Sequence, residues 1–70
     1  MEYMIVIEKA QRNYAAYVPD LPGCVATGAT RDDAIREIGA AMVMHIESLR
    51  ENGDPVPAPQ CTAAMVQVAA

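Results

Sequence analysis

The side chains able to do chemistry in this chain are few, and their spacing scatters them. His45 is the single histidine, and the two cysteines, Cys24 and Cys61, lie far from it in sequence. A histidine acting as a general base needs a nucleophile and an orienting acid within hydrogen-bond reach. No such set surrounds His45, which fits a half-buried place at the margin of an apolar helix stripe. Zinc sites present closely spaced Cys or His pairs, and Cys24, His45 and Cys61 supply none. Metal-dependent hydrolysis needs several carboxylates converging on one point. Glu8 is expected at a strand end and Glu47 on an outward helix face, so the two do not meet. Gly23, Gly28, Gly39 and Gly53 fall at turn or packing positions and compose no phosphate loop. The expectation is a protein that is not an enzyme and carries no cofactor or metal.

Binding chemistry is easier to find. The chain has 5 basic and 9 acidic residues, a net charge of −4. That balance repels phosphate backbones and attracts basic partners. Tyr3, Tyr14 and Tyr17 can form a stacking platform for bases, but Lys9, Arg12 and Arg31 are isolated, so tyrosines bridging core and solvent are the simpler expectation. Direct nucleic-acid binding by this chain is therefore not expected. Asp20 stands between Pro19 and Pro22, in a loop the prolines stiffen before any contact, so little ordering entropy is lost on binding. Val43 and Met44 fall wholly or partly off the helix's core stripe and are candidates for a contact surface.

These residues are positioned by one small domain spanning residues 1–70. Glu2-Tyr3-Met4-Ile5-Val6-Ile7-Glu8 is a short β-branched run and reads as a buried strand. Tyr14–Val18 reads as a second strand, joined to the first in a hairpin through the polar stretch 9–13. Tyr3, Ile5 and Ile7 share one face; Met4 and Val6 share the other. Pro19 to Gly23 makes a turn, and Cys24–Gly28 is a candidate third strand. Thr30 is a good N-cap, with acids at 32 and 33 in the first helical turn. Ile35, Ile38, Met42, His45, Ile46 and Leu49 then fall on one stripe of a helix of about 22 residues. Gly53 ends it, and Pro55 prevents its restarting. Beyond the stiff segment Pro55–Pro59, Thr62–Val68 is uncharged and reads as a fourth strand.

The fold class expected is α+β in the order β-β-β-α-β, with sheet order 3-2-1-4 and one helix packed on one face. The second face, carrying Met4 and Val6, needs a cover. For 70 residues, burial supplies about 100 kcal/mol and ordering costs about the same. With only two cysteines and no metal set, self-association is the expected remedy: a homodimer or higher homo-oligomer. No apolar run is long enough to span a membrane. Free thiols and an N-terminus unlike a signal peptide make the cytoplasm the expected location.

The stretch Tyr17-Val18-Pro19-Asp20-Leu21-Pro22-Gly23-Cys24, followed by Ala26-Thr27-Gly28 and Thr30, resembles the HicB-type antitoxins of bacterial and archaeal toxin–antitoxin pairs. The likeness continues through Ala34, Ile38, Ala41, His45 and Leu49 and the tail Asn52–Pro59, so it covers roughly residues 3 to 60. It implies a truncated ribonuclease-H-like fold and a small basic partner, a HicA-like toxin that cleaves RNA with a histidine. It implies an antitoxin that neutralises this toxin by covering its active surface, with Tyr17, Pro19, Asp20, Leu21 and Pro22 as the partner-binding residues. Longer members add a C-terminal DNA-binding module. This sequence ends at Ala70 without room for one, so repression by this chain alone is not expected. Where the family has Gly-Asp-Thr before the helix, this chain has Gly28-Ala29-Thr30, which keeps the N-cap. The alternative is an orphan HicB-like regulatory or adaptor protein, non-catalytic, that binds a different protein.

Overall fold

The computed structural model describes residues 1–69. Three short strands form an antiparallel meander: β1 (Val6–Lys9), β2 (Tyr14–Tyr17) and β3 (Val25–Gly28), in the spatial order β1-β2-β3. One long helix, α1 (Arg31–Glu51), follows. The register aligns Val6, Tyr17 and Val25 as one cross-strand row and Ile7, Ala16 and Ala26 as the next. Because side chains alternate along a strand, the second row faces the helix, with Ala16 buried and Ile7 and Ala26 packed against the core. The first row faces away and is left uncovered.

The helix begins and ends where local chemistry dictates. Thr30 is extended, and its Oγ1 accepts the Asp33 N–H at 3.1 Å, satisfying one of the first-turn donors. At the other end the Gly53 N–H donates to Arg50 O at 3.1 Å and the Asp54 N–H to Leu49 O at 2.8 Å. Gly53 has a φ of +73°, a left-handed conformation that an L side chain adopts only with strain. The predicted stripe is confirmed in outline. Ala34 and Ile38 are buried, with Met42 and Ile46 packed beside them, while Ile35, His45 and Leu49 sit half-buried at its margins.

The helix crosses the sheet obliquely. Its first turn lies so close to Gly28 on β3 that a Cβ there would fall 2.4 Å from the Ala34 nitrogen and 2.7 Å from the Asp33 carbonyl carbon. Its second half lies over Tyr3, ahead of β1. Between β2 and β3 the chain makes a loop that also enters the core, with Val18, Leu21 and Cys24 all buried.

The sheet differs from expectation in two respects. The first strand is shorter and shifted: β1 is Val6–Lys9, so Glu2–Ile5 of the expected Glu2–Glu8 run lie outside it and Lys9 joins it by pairing with Tyr14. The ribonuclease-H-like order 3-2-1-4 is not formed, because residues 62–68 belong to no strand of the sheet. They are extended and exposed, with Met65, Val66 and Val68 at 99%, 81% and 75% exposure. The physical reason lies just upstream. The chain leaving the helix is caught first by Tyr3, whose hydroxyl donates to Pro57 O, and then by Asp20 in the β2–β3 loop. That path carries it across the end of the sheet, away from the free edge of β1 where a fourth strand would sit.

Candidate partner-binding surface

The β2–β3 loop is built to hold one shape. The Val18 N–H donates to Cys24 O at 3.2 Å, that of Leu21 to Val18 O at 3.0 Å, and that of Cys24 to Leu21 O at 3.0 Å. Pro19 fixes φ, and Gly23 takes a φ of +85° to turn the chain back into β3. Leu21 anchors the loop from beneath, with none of its surface exposed.

The five residues expected to bind a partner therefore separate into two sets. Tyr17 is 39% exposed on the uncovered sheet face. Pro19 and Asp20 are half-buried and Pro22 is exposed on the loop beside it. Leu21 points inward, so it shapes the surface from below instead of forming part of it. Tyr17 and Val25 line a shallow concavity with Ala15 and Thr27, and Glu8 stands at its edge. Val25, 66% exposed, was not singled out from sequence. The signal was present: with Cys24 and Ala26 facing inward, the residue between them must face outward.

Asp20 has a second engagement that no local pattern foretold. Its Oδ2 accepts the backbone N–H groups of Gln60 and Cys61, both at 3.0 Å. These two donors favour the carboxylate, Cys61 first and Gln60 second, and hold Asp20 below its ordinary pKa of 3.8. The same carboxylate pushes the Cys61 thiol upward through their hydrogen bond, with burial and charge repulsion adding to it. Burial pushes the Cys24 thiol upward.

The scattered catalytic candidates do not assemble into a reactive set. Cys24 and His45 line one shallow depression with Gly23, Ala41 and Met44. The thiol is buried and held in its neutral form, the opposite of an activated nucleophile. Among the described residues no group of three or more His, Cys, Asp or Glu could hold a metal ion. Among the same residues, no helix is long and apolar enough to cross a membrane. What the site offers is shape: a stiff loop with a carboxylate, beside a small apolar sheet face.

Similarity to known proteins agrees with this emphasis. A family model described as HicB_like antitoxin of bacterial toxin-antitoxin system matches residues 3–69. An uncharacterized 14.9 kDa protein of Haemophilus phage HP1, from the rep-hol intergenic region, is 39% identical over 57 residues, 81% of this chain and 43% of the phage protein. A UPF0150 protein of Thermoplasma acidophilum is 36% identical over 58 residues, 81% of this chain and 84% of its own length. The chain thus spans less than half of the phage protein and most of the archaeal one. A chain from the solved HicA3 and HicB3 toxin-antitoxin complex superposes with a TM-score of 0.69 at 34% identity, covering 84% of this chain and 72% of that one.

Proposed function

This chain belongs to the HicB-like antitoxin family, whose members act by binding and not by catalysis, and from that premise we propose that it neutralises a small, basic, HicA-like RNA-cleaving toxin by covering the toxin's active surface. The observation that carries this proposal is the preorganised loop 18–24 beside an apolar sheet face that none of the described residues covers. Its likeness to a chain from a toxin–antitoxin complex supports the same conclusion. An RNA-cleaving surface is basic, because it must hold phosphates. A partner of net charge −4 is steered toward such a surface.

In this proposal Tyr17, Pro19, Asp20 and Pro22 meet the toxin and Leu21 holds them in place. Tyr17 supplies the aromatic anchor, a residue type that often dominates binding energy at an interface. Asp20 supplies charge at a fixed position. The loop is already ordered by its own hydrogen bonds, so binding spends little free energy on arranging it.

The test is co-purification with a small, basic, HicA-like toxin. A complex at micromolar concentration that loses the toxin's RNA cleavage is expected. Tyr17→Ala should weaken it by about 2 kcal/mol, roughly thirtyfold. Absence of any complex at those concentrations, with both proteins folded, would sink the proposal. Capture of a different protein through the same loop would make the chain an adaptor instead.

A further inference from the structure

Residues 62–69 form an arm that the chain does not use on itself. Its side chains are exposed throughout. The segment 62–68 carries no charge, and it holds the large apolar residues Met65, Val66 and Val68. The arm also sets the outline of the molecule. The radius of gyration is 13.8 Å, against roughly 11 Å for a compact domain of this length. An extended, uncharged, apolar segment with its backbone unpaired is a strand awaiting a sheet edge.

The sheet has such an edge. β2 pairs on both sides, so the outer edge of β1 is unpaired. Alternate residues of Val6–Lys9 therefore direct their backbone groups outward. Next to the segment that leads into β1, a groove of about 330 Å³ opens between Met1 and Tyr3 on one side and Met42, Val43 and Ile46 of the helix on the other. Val43 is 57% exposed there. A strand laid beside β1 places alternate side chains on the helix side of the sheet. Ala64, Val66 and Val68 recur at that spacing and match the apolar lining. The outer side of β3 is less suited, because its end at Gly28 is already closed against the first turn of the helix.

The arm does not reach this edge in its own subunit. Pro57 is held at Tyr3, close to β1, but Gln60 and Cys61 are then held at Asp20, in the β2–β3 loop. The arm's root therefore lies across the sheet end from the edge it fits. The same edge on a second molecule is free of that constraint.

We propose that two copies of this chain exchange arms, residues 62–68 of each adding as a fourth strand to the outer edge of β1 of the other. The exchange is reciprocal, so the two contacts are related by a twofold axis and close on themselves. It completes the sheet order 3-2-1-4 between subunits, not within one. It buries the exposed arm and Val43 together. The toxin is not required for it.

The experiment compares the wild-type chain with Val66→Pro by sedimentation, and by hydrogen exchange at the β1 amides. Val66 is exposed in the single chain, so the substitution leaves the monomer fold intact, as a circular dichroism melt at high dilution verifies. It removes one strand donor from each arm. The wild type is expected to be a dimer at micromolar concentration, with outward β1 amides that lose protection on dilution. Val66→Pro should raise the dissociation constant about thirtyfold, because two hydrogen bonds are lost per dimer, and expose the same amides. A wild type that stays monomeric at those concentrations overturns the proposal. So does a dimer indifferent to Val66→Pro, or one that protects β3 instead of β1. Protection of β1 that arises only when a toxin is added would assign the edge to the toxin and likewise refute the exchange.

Discussion

The loop at residues 18–24 and the arm at 62–69 are made of similar material and have opposite fates. Both lack a regular strand or helix, both follow or contain proline, and both are mostly apolar. The loop buries Val18, Leu21 and Cys24; the arm exposes Met65, Val66 and Val68. Hydrophobicity does not account for the difference. Attachment does. The loop leaves one paired strand and enters another, so both its ends are fixed over the core and its apolar residues have nowhere else to go. The arm is held at its root, by Asp20 and Tyr3, and among the described residues 62–69 no second hold brings it down. Burial in so small a domain is decided by how a segment is tethered as much as by what it contains.

Leu21→Ala should break the comparison most severely. It empties a site with no exposed surface, and a loss of about 3 kcal/mol in urea unfolding is expected. For so small a domain that is a large share of the total. Thr30→Ala removes the acceptor for the Asp33 N–H. It should cost about 1 kcal/mol in the same measurement, because the helix that covers the loop starts there. Asp20→Ala acts on the boundary between the two regions. The Gln60 and Cys61 amides should then exchange faster with solvent, while the Leu21 and Cys24 amides stay protected.

The pH dependence of that clasp has a definite sign. Asp20 is more acidic in the folded chain than its ordinary 3.8. Its contribution is therefore complete above that value and is lost as pH falls through the lower folded pKa. Hydrogen exchange at Gln60 and Cys61 should show no carboxylate-linked loosening between pH 5 and 8. Met65→Ala is the smallest effect, within about 0.5 kcal/mol for the dilute monomer, since the side chain is 99% exposed. A larger loss there would mean that the arm is buried in solution, and would sharpen the comparison into one between two kinds of tether.

The local structure was legible in the sequence where its cause is local. Thr30 and Gly53 mark the helix ends because capping is settled within a few residues. The alternation of Tyr3, Ile5 and Ile7 told which face meets the helix. Residues 62–68 have the composition of a strand, but a strand also needs an edge to pair with, and composition is silent on where the nearest free edge lies. Asp20 shows the same limit. Its place between prolines marked it as preorganised, but its bonds to Gln60 and Cys61 join residues forty apart. Leu21 stands with Pro19, Asp20 and Pro22 in one motif, and the motif alone does not separate the buried residue from the exposed ones. Only the closed turn reveals that the middle of the loop dips inward.

The double acceptance by Asp20 Oδ2 has a consequence for reach. While the carboxylate holds Gln60 and Cys61, the free part of the tail begins at Thr62. If a basic group on a bound protein drew that carboxylate away, the next hold would be Tyr3 on Pro57. Residues 58–61 would then join the free segment and lengthen it by roughly 13 Å at ~3.3 Å per residue. Occupancy of one loop residue would thereby set how much of residues 58–69 is free of the domain.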